Sequence, residues 1–288
     1  MRLDATGKVS LDHLYTGTDP RPFFTTLRPL GYCVPQQAKP HFAKLLTEYR
    51  DAHGVAAPRV LDVGCSYGVN GALLKYDVTM DELYARYCDV PQPDTRTRAD
   101  LIAHDRELAR SRQPARPLHV TGLDVSAGAL EYALDAGFLD DAVHADLEAE
   151  EPTAHQRRQL AGTDLVVSTG CLGYVTERTL VRIVRAQGEH RPWMAHFVLR
   201  MFSFAPIAAA LADLGYHTYR VEGVFPQRRF ASPEEHARVV AKLTAAKVNP
   251  DGLEAEGWLH AELYVSTPRT SPAHPGPSHP SAAADIPK

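Results

Sequence analysis

Between Arg59 and Ser266 short apolar runs alternate with stretches whose apolar residues recur at helical spacing. The runs predict strands over Arg59–Gly64, Leu118–Asp124, Ala142–Ala145, Leu165–Thr169, Trp193–Met201, Thr218–Glu222 and His260–Val265. The spaced stretches predict helices near Val69–Lys75, Ala127–Ala136, Glu177–Ala186, Pro206–Leu214 and Pro233–Ala246. Ser126 stands as a cap before Ala127, and Ser232-Pro233-Glu234-Glu235 reads as cap, first turn and acidic start. Strands and helices in this alternation predict an α/β fold: a seven-stranded, mostly parallel sheet with helices on both faces. The last two strands are expected to close one edge of it.

The flanks and one insertion break the pattern. Residues 1–58, with the aromatic, proline-punctuated "LYTGTDPRPFFTTLRPLGYCVPQQAKPHF", read as a cover lying across the open edge of the sheet. Residues 59–266 form the main domain. Inside it, residues 76–117 are extra material, whose Leu83, Tyr84 and Tyr87 share one helical face and favour packing on the core over a lid. Residues 267–288 are rich in Pro, Ser and Ala, lack large apolar side chains, and read as a disordered tail.

Composition narrows the functional classes. Hydrophobic residues make up 44% of 288 positions and the formal charge is −4, so a core is available and a polyanion-binding surface is disfavoured. No nucleic-acid partner is expected. No apolar stretch approaches the ~20 residues that span a bilayer, and "MRLDATGKVS" lacks a signal-peptide core. The widely spaced Cys33, Cys65, Cys88 and Cys171 fit reduced thiols, so the expected setting is cytoplasmic, with neither disulfide framework nor metal site. A homodimer is compatible with all of this.

The chemistry begins at "VLDVGCSYGVNGALLKYD", Val60 to Asp77, where a strand empties into a glycine turn and then a helix. In doubly wound sheets ligands bind beyond the carboxyl ends of the strands. Glycine there permits positive φ and close backbone approach. The turn lacks the G-K-[ST] of a phosphate loop, and its G-x-x-x-G spacing departs from the dinucleotide fingerprint G-x-G-x-x-G.

"VLDVGCSYG" resembles the first motif of class I S-adenosylmethionine (SAM)-dependent methyltransferases, acidic-x-Gly-x-Gly-x-Gly, with Ser66 in place of the middle glycine. "HVTGLDVSAGALEYA", "AVHADLEA" and "TDLVVSTGCLGYV" resemble the segments that follow in that family. The resemblance implies a Rossmann-like methyltransferase fold and a SAM site. Asp62, Gly64, Cys65, Ser66 and Gly68 would lie at the amino-acid end, Asp124 and Val125 at the ribose. Asp146 and Leu147 would meet the adenine, and Ser168 and Thr169 would close the fourth strand.

Within that superfamily, "LYTGTDPRPFFTTLRPLGY", "GCSYGVNGALLKYDVTMDELYARY", "STGCLGYVTERT" and "FVLRMF" resemble the methyltransferase-homologous SAM cyclases. This implies conversion of SAM into 1-aminocyclopropane-1-carboxylate, or azetidine-2-carboxylate next, with release of methylthioadenosine. Tyr174 and Tyr15 are then the candidate catalytic groups, among tyrosines that include Tyr67 and Tyr32, since a phenol can relay a proton and an aromatic face attracts a sulfonium. Methyl transfer to a small-molecule substrate is the alternative, and a non-catalytic SAM-binding module is a third.

Overall fold

The computed structural model describes residues 3–15, 17–112 and 116–269. Its strands are β1 (Arg59–Val63), β2 (His119–Asp124), β3 (Asp141–His144), β4 (Leu165–Thr169), β5 (Trp193–Leu199), β6 (Tyr216–Arg220), β7 (Phe225–Arg229) and β8 (Trp258–Pro268). The sheet order is β3-β2-β1-β4-β5-β8-β6, with β7 also paired to β8. The β1–β2, β1–β4, β2–β3 and β4–β5 pairs are parallel, and β8 runs antiparallel to β5, β6 and β7. Strand order reverses at β1, so β1 and β4 diverge at the topological switch point where such sheets hold ligands.

The expected seven strands become eight. β7, "FPQRR", has neither apolar alternation nor β-branched residues, and it exists because β8 offers it an edge. β5 takes one edge of β8, pairing Leu199 with Ala261 and Met194 with Ser266. β6 and β7 share the other edge end to end, pairing Tyr216 with Pro268 and Arg229 with Trp258.

The helices are α1 (Asp12–Tyr15), α2 (Arg21–Leu27), α3 (Val34–His53), α4 (Val69–Tyr76), α5 (Met80–Cys88), α6 (Arg98–Ser111), α7 (Ala127–Ala136), α8 (Ala154–Leu160), α9 (Glu177–Ala186), α10 (Ala205–Asp213) and α11 (Pro233–Ala245). Side chains alternate across β1. Val60 enters a core with residues of α3, α4 and α7, and Leu61 and Val63 enter a second core with α8, α9 and α10. A strand buried on both faces reads as an unbroken apolar run, which is why β1 stands out in the sequence.

The N-terminal segment meets the edge of β7 that faces away from β8, where the Arg229 N–H donates to Leu30 O at 2.6 Å and the Cys33 N–H donates to Gln227 O at 2.8 Å, and it covers a face of the sheet as well. α3 packs on a face of the sheet, burying Ala38, Phe42, Leu45, Leu46 and Tyr49 at helical spacing. Pro35 sits in its first turn, where no intrahelical donor is lost, and only Pro40 interrupts its ladder. In the insertion, capping boxes at Thr79–Glu82 and Thr97–Asp100 start α5 and α6. Tyr87 stacks on Phe24 at 4.1 Å, and Tyr132 donates to the buried Asp105. These two helices are packing elements.

The tail boundary also moves. β8 continues through Pro268, and the Arg269 N–H donates to Gly215 O at 2.8 Å, while residues 270–288 of the expected disordered tail lie outside the described residues. Cutting the chain after Arg269 keeps every one of these pairs. The melting temperature is then expected to stay within ~2 °C of the full chain. Cutting after Val265 strips Ser266, Thr267 and Pro268 from the β6 ladder, and a fall on the order of 5–10 °C is expected in the same thermal scan. No helix among the described residues is long and apolar enough to cross a membrane.

Candidate functional site

β1 ends at Val63, and Gly64 turns with φ 68°, its N–H donating to Leu123 O at 2.8 Å. A Cβ on Gly64 would stand 2.7 Å from the Cys171 Cβ, so the loop after β4 closes over this turn only because no side chain is there. Ser66, the departure from the glycine pattern, holds φ 48°, a left-handed conformation that costs a non-glycine residue. Its N–H donates to Asp124 Oδ2 at 2.8 Å, and the Ser126 N–H donates to Oδ1 at 2.9 Å. The Asp124 carboxylate thus pins the glycine turn to the end of β2, and each oxygen keeps acceptor capacity for a ligand. Burial raises its pKa, and the backbone donors only partly offset that.

Around this turn the chain leaves a cavity of ≈ 470 Å³, within the roughly 300–1,000 Å³ typical of small-molecule sites. Of the residues expected from sequence, Gly64, Cys65, Ser66, Asp124, Val125, Asp146, Leu147, Thr169, Tyr174 and Tyr15 all line it. Val125 is 63% exposed, and Leu147 is buried beside Asp146, whose Oδ1 accepts from the Glu148 and Ala149 N–H groups.

Three expected residues stand outside the lining, each for a visible reason. Gly68 starts α4 at φ 72°, where a Cβ would press on Ala133 at 3.0 Å and Phe138 at 3.1 Å, so this glycine serves helix packing. Ser168 turns into the sheet interior, its Oγ 2.8 Å from His196 Nδ1, with both residues fully buried. Asp62 lies behind the turn. Its Oδ1 accepts from Asn70 Nδ2 at 2.9 Å, Asn70 also donates to Thr169 Oγ1, and Oδ2 is buried without a partner.

Burial pushes the Asp62 carboxyl up to about 7. An unfolded aspartate titrates near ~3.9, so the folded protein binds the proton more tightly and loses stability as pH rises from about 4 to about 7. Asp62→Asn removes that dependence. Thermal unfolding at pH 4.5 and pH 8 is expected to show the gap between variant and wild type shifting toward the variant by on the order of 3 kcal/mol as pH rises. Parallel pH profiles would rule out a buried, proton-binding Asp62.

The tyrosines divide. Tyr15 on α1 meets Phe23 edge-on at 5.6 Å, Phe23 meets Tyr32 at 6.0 Å, and all three form one aromatic wall of the cavity. Tyr67 is not part of that wall: its hydroxyl lies within 3.2 Å of the Leu14, Gly17 and Asp19 carbonyls, tying the glycine turn to the N-terminal segment. Tyr174 is 45% exposed at the rim, its ring lining the cavity while its hydroxyl donates to Asp4 Oδ2 at 2.5 Å.

Sequence reasoning missed the rest of the wall. Residues Leu3 to Val9 form a short strap, bridged Leu3 to Val9, that contributes Asp4, Lys8 and Val9. β7 contributes Gln227 and Arg228. Arg228 makes a buried two-pronged ion pair with Glu235 on α11, at 3.0 and 2.6 Å, and the same carboxylate accepts from the Val9 and Ala231 N–H groups. The only signal was the acidic start of α11, whose Glu235 turns inward. Among the described residues no group of three or more His, Cys, Asp or Glu side chains is placed to hold a metal ion.

The strand order, with an antiparallel strand inserted beside β5 and the glycine turn at the switch point, defines a Rossmann-like α/β fold of the class I methyltransferase type. No family model and no curated protein matches the chain. Solved structures do. A TehB-like SAM-dependent methyltransferase from Corynebacterium glutamicum is similar at 17% identity and TM-score 0.38, over 77% of this chain and 86% of that one. Magnesium protoporphyrin IX methyltransferase from Synechocystis, with bound SAM, is similar at 12% identity and TM-score 0.38, over 78% of each chain. The plantazolicin methyltransferase BpumL is similar at 11% identity and TM-score 0.36, over 79% of this chain and 82% of that one.

Proposed function

We propose that this protein is a SAM-dependent enzyme that transfers the methyl group of SAM to a small molecule. The observation that carries the SAM site is Asp124: a carboxylate at the end of β2, fixed by two backbone donors of which one belongs to the glycine turn. Such a group accepts the two hydroxyls of a ribose at once. The buried Ser66 Oγ, which has no hydrogen-bond partner, fits a polar group of the ligand further along. Val125 and Leu147 offer apolar contacts for the adenine, beside the Asp146 carboxylate.

Bound SAM supplies a sulfonium whose attached carbons are open to nucleophiles. The chain's part is to hold and orient. Aromatic faces at Tyr15, Phe23 and Tyr32 attract such a cation by ~0.5–2 kcal/mol each. The charged side chains of Asp4, Lys8, Glu148 and Arg228 also line the cavity, and a second, polar molecule beside the donor would find partners among them. These charged lining groups favour methyl transfer to a separate acceptor.

A second reading rests on the aromatic wall itself. Rings packed around the sulfonium end favour a folded aminocarboxypropyl chain, and intramolecular closure then yields 1-aminocyclopropane-1-carboxylate or azetidine-2-carboxylate with methylthioadenosine, helped by orientation. Tyr15, on that wall, is then the phenol to test first. Incubating the purified protein with SAM alone and resolving products by mass spectrometry separates the two. Methylthioadenosine without an acceptor supports cyclisation. S-adenosylhomocysteine formed only when small-molecule acceptors are added supports methyl transfer. Absence of SAM binding in calorimetry overturns both.

A further inference from the structure

We propose that Gln227 is the specificity-determining residue for the α-amino-acid end of the ligand, its carboxamide oxygen accepting from the ligand's ammonium group. The inference rests on the SAM reading of the cavity and adds a contact the glycine-turn motif does not contain.

Three independent features of the chain converge on this side chain. The first is the backbone. In the β7–β8 ladder Pro226 pairs with His260 and Arg228 with Leu259, so Gln227 is the extra residue of a bulge. A bulge re-aims its side chain out of the strand's regular alternation. Its carbonyl is taken by the Cys33 N–H at 2.8 Å, which braces the bulge against the N-terminal segment.

The second feature is the oxygen itself. Gln227 is 5% exposed, lines the cavity, and its Oε1 is buried with no hydrogen-bond partner. Buried acceptors are nearly always satisfied, so an orphaned acceptor on a residue that lines the cavity marks the place of a donor on a ligand. The third is the clearance. Gly170, at φ 85°, would bring a Cβ to 2.5 Å from Gln227 Nε2. Only glycine at that position lets the carboxamide lie along the cavity.

Position decides which part of the ligand is read. Asp124 and Asp146 follow β2 and β3, on one side of the switch point, and would hold the nucleoside. Gly170 and Gln227 lie on the other side, after β4 and on β7. An extended ligand anchored by its ribose at Asp124 lays its far end there, and in SAM that end is an ammonium and a carboxylate. An ammonium has three donors and no acceptor, which suits an oxygen without a partner.

The test uses two neutral thioethers that differ only at this end: S-adenosylhomocysteine, which carries the aminocarboxypropyl group, and methylthioadenosine, which lacks it. Calorimetry on wild type, Gln227→Leu and Gln227→Glu, with melting curves on the same samples, gives the answer. Gln227→Leu is expected to weaken S-adenosylhomocysteine ~10–100-fold, the size of a lost charge-assisted hydrogen bond, and to leave methylthioadenosine within ~2-fold. Gln227→Glu, which keeps shape and acceptor, is expected to retain wild-type affinity for S-adenosylhomocysteine. Equal losses for both ligands in a folded Leu variant, or no loss for either, overturn the assignment, as does a folded Glu variant that loses S-adenosylhomocysteine binding. Wild-type protein that binds neither thioether overturns the SAM reading itself, and the inference with it.

Discussion

Asp124→Ala is expected to weaken SAM binding about a hundredfold, the loss of two charge-assisted hydrogen bonds at roughly 3 kcal/mol together. The structure adds a second route to the same loss. Alanine also releases the Ser66 N–H, and with it the carboxylate clasp that holds a non-glycine residue at φ 48° in the turn. Asp124→Asn separates the two routes, because its amide oxygen still accepts from one backbone N–H. It is expected to bind SAM more weakly than wild type but better than the alanine variant. The measurement is calorimetric titration alongside thermal unfolding. An unchanged dissociation constant in a normally folded Asp124→Ala protein would remove this carboxylate from the site.

Glu235→Ala is expected to have the largest effect on stability. Glu235 is fully buried, and its two oxygens accept four times: twice from Arg228 and once each from Val9 and Ala231. Removing it strands a buried guanidinium, at ~3–5 kcal/mol, which lowers the melting temperature by on the order of 10 °C in a protein of this size. The control is Arg228→Met with Glu235→Leu. Replacing both charges by apolar groups is expected to restore most of the stability, while the cavity wall at Arg228 is still lost. A double variant no more stable than Glu235→Ala would mean that packing, not the stranded charge, sets the loss. Burial acts to raise the Glu235 pKa, but the hydrogen bonds and charge of Arg228 outweigh it and the net shift is downward. The pair therefore stabilises the fold above the ordinary glutamate range and ceases to do so as pH falls through the lowered value.

What the sequence revealed and what it hid follow from where the information sits. β1, β2 and β4 are buried on both faces, so "RVLDV", "HVTGLD" and "LVVST" announce themselves as apolar runs. The turn at Gly64 and the acid at Asp124 are local signals, one residue or one strand end each. Gln227 carries no local signal at all. Its role depends on a bulge in a strand rich in Pro, Gln and Arg, on a glycine at position 170, and on a backbone donor at Cys33. Tyr67 shows the opposite failure. It sits in the middle of the motif, yet its hydroxyl is held among three carbonyls of the N-terminal segment and does not line the cavity. The gathering of Asp4, Lys8 and Arg228 on the cavity wall is likewise a product of tertiary convergence.

The hydrogen bond from the Val9 N–H to Glu235 joins residues 226 positions apart. During synthesis Val9 emerges early and must wait until α11 has left the ribosome before it finds its acceptor, some ten to fifty seconds later at ~5–20 residues per second. The part of the cavity wall that follows β1, β2 and β3 needs only about the first half of the chain. A translating polypeptide can therefore shape that wall well before the strap and β7 complete the chamber. Sealing of the cavity is then expected as a late, long-range folding event, with the slow, high-contact-order step in maturation at this seam.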